Sequence, residues 1–182
     1  KESIPGAFVE CGVWKGGAGF LMALISAEAK ADRRVWLLDS FEGLPAPDDI
    51  DGARALSYAR TTDDPNYRDN CRAGLEEVKE AARTLGIDES TEFVKGWFEN
   101  TLPQARERIG PIALLRIDAD WYSSVRCCLD NLYDLVSPGG FILLDDYNAW
   151  DGCVIATHEF LGQRKLPHRI CHDGGCAYFR KL

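Results

Sequence analysis

Two short stretches place acid where chemistry is commonly done. "RIDADW" follows the apolar run 112–115 and offers Asp118 and Asp120, and "LLDDY" offers Asp145 and Asp146, 27 and 28 residues after Asp118. If both runs are adjacent parallel strands, Asp118, Asp145 and Asp146 converge at one sheet edge. Three such carboxylates repel unless they are protonated or neutralised, and their hard oxygens suit magnesium or another divalent cation. An ion held there can fix an acceptor hydroxyl and lower its pKa, with Asp118 as the candidate catalytic proton acceptor. The plainer reading is that these acids cap the helices that follow, which aspartate does well.

Two further acids stand 29 residues apart, Glu10 in "VECGVWKGGAG" and Asp39 in "LLDSFEG". The turn Gly12-x-x-x-Gly16-Gly17 lacks both the G-x-G-x-x-G spacing of a nicotinamide fold and the Lys-Ser/Thr of a P-loop. Its small residues still let backbone approach a ligand and expose helix N-terminal N–H groups. An acid at the end of the next strand commonly holds two ribose hydroxyls, so Glu10, Gly12 and Asp39 together suggest a nucleoside-type cofactor.

These residues need a frame that brings strand ends together. Apolar runs at 7–11, 35–39, 91–95, 112–118 and 141–146 read as strands, the last two near-continuous as expected of strands covered on both faces. Amphipathic patterns at 18–30, 67–85, 102–109 and 123–135 read as helices, with "SPGG" at 137–140 closing the last. Another helical stretch near 153–164 precedes "HRICHDGGCAYFRK", a hairpin around Asp173-Gly174-Gly175. The predicted fold is α/β: a mostly parallel sheet finished by an antiparallel hairpin strand, with ligands beyond the strand ends. Four of the five leading strands end in carboxylate, which is where such a fold binds.

Composition narrows the classes. A chain of 182 residues with 46% apolar residues and a net charge of −8 fits a single domain over 1–182. An acidic pI near 4.9 lacks the basic footprint of nucleic-acid binding. No run approaches a membrane span, and the opening lacks the plan of a signal peptide. Seven cysteines, an odd number with one adjacent pair and no CxxC, point to a reducing, cytoplasmic compartment.

The motifs "VECGVWKGG", "LLDSFEGLP", "KGWFENTLP", "LLRIDADWYSS" and "PGGFILLDDY", in that order, resemble class I S-adenosylmethionine methyltransferases, and more narrowly the macrocin O-methyltransferase (TylF-like) family. The resemblance runs from about residue 4 to 181 and implies a Rossmann-like, seven-stranded sheet. It implies that Glu10 and Gly12, with Gly16 and Gly17 in the same turn, frame the methionine end of S-adenosylmethionine, and that Asp39 binds ribose. Ser40, Phe41 and Trp97 would line the adenosine pocket, and Asp120 would face the methionine amino group rather than the metal. Cation-dependent O-methyltransferases share the arrangement of one Asp after strand four and an acidic pair after strand five. The expected reaction is transfer of a methyl group to a hydroxyl of a sugar or glycosylated natural product, with a homo-oligomer compatible with this reading.

Two other readings stay open at this point. Asp118-x-Asp120 imitates the metal-binding D-x-D of nucleotide-sugar glycosyltransferases, although that leaves the glycine-rich turn unexplained. A non-catalytic domain that keeps the fold and binds a partner is the other. Tyr122-x-x-x-Arg126 echoes a dehydrogenase pair, but Arg cannot act as its lysine does. Cys171, His172 and Cys176 make a poor zinc set. The polar insertion 42–65 is long for a compact α/β connection and reads as a specificity lid.

Overall fold

A computed structural model describes residues 4–61 and 69–182. Seven strands form one sheet: β1 (Ala7–Cys11), β2 (Val35–Asp39), β3 (Thr91–Lys95), β4 (Ile112–Ile117), β5 (Val136–Leu144), β6 (Cys171–Asp173) and β7 (Cys176–Arg180). Their order is β3-β2-β1-β4-β5-β7-β6, parallel from β3 through β5, with β7 antiparallel to β5 and to β6. The chain runs outward from β1 to β3 and then returns to lay β4 on the other side of β1. That reversal opens a crevice above the β1 and β4 ends, where ligands bind in such sheets.

The alternation along β2 shows why these runs are apolar throughout. Val35 and Leu37 face one buried cluster, with Phe20 of α1 (Gly17–Glu28) and Val78 of α3 (Leu75–Thr84). Trp36 and Leu38 face the other, with Leu102 of α4 (Phe98–Ile109), Leu129 of α5 (Tyr122–Leu132) and Phe160 of α6 (Asp151–Gln163). Helices therefore cover both faces, and a central strand has no solvent side on which to place polar residues.

Several boundaries differ from the sequence-based expectation, α4 for one starting at Phe98 rather than 102. "SPGG" lies inside β5 rather than in a turn: Val136 pairs with Ile112, and Gly139 donates its N–H to the Lys181 carbonyl at 2.8 Å. Gly139 takes φ +80°, which lets the strand bend there without a side-chain clash. β5 also stops at Leu144, so Asp145 and Asp146 stand beyond it. The helix expected at 67–85 spans Leu75–Thr84, its expected first residues 67 and 68 lying outside the described residues. The insertion at 42–65 carries an element of its own, α2 (Gly52–Tyr58), with 62–65 outside the described residues.

Candidate functional site

The strand ends are aligned by backbone hydrogen bonds that cross the sheet. Gly96 N–H donates to Asp39 O, Gly12 N–H to Leu38 O, Asp118 N–H to Cys11 O and Asp145 N–H to Ile117 O, all at 2.8–3.0 Å. Gly12 is required by this closeness: a Cβ there would lie 1.7 Å from the Asp118 carbonyl oxygen, and its φ is +88°. The glycine-rich turn and the "RIDAD" end are thus in direct backbone contact.

A cavity of about 680 Å³ lies above these ends. Gly12, Asp39, Ser40, Trp97, Asp118, Asp120 and Asp146 are on its wall. Glu10, Gly16, Gly17, Phe41 and Asp145 are not. Gly16 precedes α1 with φ +88°, where a Cβ would strike the Phe20 ring, so it serves the turn into the helix. Gly17 is the first residue of that helix. Phe41 is buried in the core, 6.4 Å between ring centroids from Phe93, and meets the site only through its backbone.

Asp39 organises the turn. One oxygen accepts from the N–H groups of Val13 at 2.6 Å and Trp14 at 3.1 Å, and the other from Phe41 N–H at 2.6 Å. Trp14, Phe41 and Asp120 all have positive φ (46°, 54° and 52°). Bulky residues adopt that conformation rarely, and such strain concentrates at functional sites.

The carboxylates that meet are Asp118, Asp120 and Asp146, each offering an oxygen within 4.8 Å of the others. Asp146 Oδ2 accepts the Asp120 N–H at 2.9 Å, and Asp120 Oδ1 accepts the Trp150 indole N–H at 2.9 Å. Burial, reinforced by the neighbouring acids, raises Asp120 to a pKa of about 7 and Asp146 to about 9. It raises Asp118 too, against the pull of Arg116. The cluster is short of positive charge. It does not cap α5 either: Trp121 holds that position without a side-chain capping bond, and the first helical N–H, on Tyr122, donates to Asp51 Oδ1 at 2.6 Å.

Asp145 differs from its expected place. Its Oδ1 pairs with Arg116 Nη2 at 2.7 Å and accepts the Cys176 thiol at 3.4 Å. Arg116 Nη1 also donates to Glu10 Oε1 at 2.7 Å and Asp118 Oδ2 at 2.8 Å, so one guanidinium joins acids from the ends of three strands. Glu10 is 1% exposed, and burial outweighs its ion pair to raise its pKa to about 7. It therefore lies beneath the turn rather than on the cavity wall. Neither Arg116, Asp51 nor Trp150 stood out in the sequence reading. A lone arginine in "IALLRID" was the available signal, because a strand covered on both faces admits a charge only with partners.

The sheet order, the crevice and the acids around it are those of class I methyltransferases, the S-adenosylmethionine-dependent fold class. The model of the family described as Macrocin-O-methyltransferase (TylF) matches residues 1–181, and the chain belongs to that family. It is 36% identical over 180 residues to the 8-demethyl-8-(2,3-dimethoxy-alpha-L-rhamnosyl)-tetracenomycin-C 4'-O-methyltransferase of Streptomyces olivaceus, covering 98% of this chain and 66% of that protein. It is 39% identical over 164 residues to the demethyldecarbamoylnovobiocin O-methyltransferase of Streptomyces niveus, covering 87% and 59%. The solved structure of the O-methyltransferase NovP superposes with a TM-score of 0.85 at 35% identity, over 98% of this chain and 73% of that one. The chain thus spans about two thirds or less of the length of these two curated relatives. Among the described residues no helix is long and apolar enough to cross a membrane, and all seven cysteines are free.

Proposed function

We propose that this chain carries a divalent-cation-assisted, S-adenosylmethionine-dependent O-methyltransferase acting on a hydroxyl of a sugar borne by a natural product. The observation that carries it is the convergence of Asp118, Asp120 and Asp146 on the wall of the cavity that Gly12 and Asp39 also line. Two curated relatives are named as O-methyltransferases of a rhamnosyl-tetracenomycin and of mycinamicin III, the first name placing the methyl acceptor in a sugar-bearing compound.

The donor set fits a hard divalent cation. It is all carboxylate, and two of its members are raised toward or past neutrality by burial and mutual repulsion. Asp118 and Asp146 would hold the ion, with Asp120 as the third ligand in the geometry present; Asp145, the third ligand expected from the sequence, would have to leave Arg116. Bound there, magnesium supplies Lewis acidity and a template for the acceptor hydroxyl.

The chain's own residues do the rest. Asp39, fixed by three backbone amides, presents its carboxylate to the donor's ribose, and Trp97 offers a face to the adenine. Bound S-adenosylmethionine would supply a methyl group for in-line displacement by the acceptor oxygen, its sulfur leaving as the thioether, and Asp118 would take the hydroxyl proton.

The decisive experiment incubates the protein with S-adenosylmethionine, magnesium and a rhamnosylated aromatic acceptor, with and without EDTA, and follows S-adenosylhomocysteine release. Turnover that EDTA abolishes and magnesium restores is expected. Full turnover in EDTA, with no metal by elemental analysis, would sink the metal role. Comparing Asp120→Asn with Asp145→Asn for Mn²⁺ affinity assigns the third ligand.

A further inference from the structure

Residues 45–58 touch the cavity and one indole at one end and a second indole at the other. Pro45 lies on the cavity wall, and its carbonyl accepts the Trp121 indole N–H at 2.9 Å. Trp121 stands edge-on to Trp150, their centroids 5.1 Å apart. From α2, the Tyr58 ring lies 5.7 Å from Trp150, and the Arg54 guanidinium sits over the same ring at 4.8 Å while donating to Ala149 O. On its other side, Trp150 donates its indole N–H to Asp120.

The two tryptophans therefore do more than fill space. Packing alone would be served by any large ring, but each indole spends its one N–H on a different functional element, and the two rings touch. Asp120, held at φ +52°, has that N–H as its side-chain anchor, while its own N–H goes to Asp146. We infer that Trp150 is a positioning residue that transmits the placement of residues 45–58 to the Asp120 carboxylate, so that an acceptor engaging the segment alters how Asp120 is presented. This deepens the methyl-transfer reading of the same site, but the coupling stands on contacts that need neither donor nor metal.

Coupling of this kind is reciprocal: if the segment biases Asp120, a change at Asp120 must be felt in the segment. The test is hydrogen–deuterium exchange of the α2 amides, without ligand, in wild type, Asp120→Gly, Trp150→Phe and the double variant. Glycine removes the carboxylate without adding left-handed strain, and phenylalanine keeps a ring while deleting the N–H. Asp120→Gly should raise α2 exchange by about threefold or more, and should add nothing once Trp150 is Phe. No change in α2 on Asp120→Gly, or an equal rise in both backgrounds, overturns the inference. If Trp150→Phe does not fold, Arg54→Ala decides: it touches nothing in the cavity, yet should weaken S-adenosylhomocysteine or Mn²⁺ binding by a similar factor, and unchanged affinity for both overturns the inference. Wild type that binds neither ligand would instead refute the proposed function, with the exchange comparison still deciding the coupling.

Discussion

Arg116→Met should be among the most damaging single substitutions, in a pH-dependent way. It removes the partner of Glu10, Asp118 and Asp145 at once, and Glu10, at 1% exposure, has no water to turn to. Breaking a buried pair from one side costs about 3–5 kcal/mol. At roughly 2–4 °C per kcal/mol for a chain of this size, the melting temperature should fall by about 6–20 °C near pH 8. The sign with pH follows from Glu10, whose pKa in the folded state is already raised from 4.5 to about 7 and rises further without Arg116. A carboxyl with a raised folded pKa contributes stability that is full below its unfolded value and is lost as pH climbs through the folded one. The deficit of the variant should therefore be smallest near about pH 5 and grow to about pH 8. Melting curves across that range, for wild type, Arg116→Met and Arg116→Met/Glu10→Gln, test it, and the second substitution should recover much of the loss at high pH. A deficit under about 2 °C near pH 8, or one flat across pH, would refute the reasoning.

Asp39→Ala should reduce the rise in melting temperature caused by saturating S-adenosylhomocysteine, because Val13, Trp14 and Phe41 lose their shared acceptor; equal shifts in parent and variant would remove Asp39 from the donor site. Asp146→Asn should abolish methyl transfer while leaving S-adenosylhomocysteine affinity within about threefold, read by calorimetry, and loss of donor binding instead would merge the two sites. Gly12→Ala should cost about 3 kcal/mol or more, since its Cβ would sit 1.7 Å from the Asp118 carbonyl; a melt within about 3 °C of wild type would show that the β1 and β4 ends can part.

How much of this was legible depends on the range of the force involved. The five leading strands were readable because burial on both faces leaves an unbroken apolar run, but the bounds of β5, read as 141–146, fall at Val136–Leu144 because "SPGG" pairs within the sheet. The acidic crevice was readable for the same reason: strand order places the ends of β1, β4 and β5 side by side, and "VECG", "RIDAD" and "LLDDY" name what stands there. Side-chain direction was not. Whether Asp145 or Asp120 joins Asp118 and Asp146 is decided by Arg116, whose guanidinium reaches across three strands and draws Asp145 aside. No periodicity reports such a contact. Phe41 was expected on the cavity wall and turns into the core, because its left-handed backbone points the side chain away while its N–H reaches Asp39. α2 was hidden inside what read as a loop, since seven residues are too few for an amphipathic pattern to show.

The bond from Tyr122 N–H to Asp51 Oδ1 bears on how members of this family can be recombined. α5 starts without a cap of its own and borrows one 71 residues upstream, from the stretch that carries α2. Asp51 fits there only because residue 152 is glycine, where a Cβ would lie 1.9 Å from the same oxygen. A chimera that transplants residues 43–61 to change acceptor preference therefore moves a structural part of the recipient with it. If the graft lacks an acid at position 51, the start of α5 loses about 1 kcal/mol of capping just beside Asp120; if the recipient has a larger residue at 152, the acid cannot seat. The portable unit is the segment together with Gly152, and shuffling libraries that respect this pair should retain folded, active members that libraries cut at the loop ends would lose.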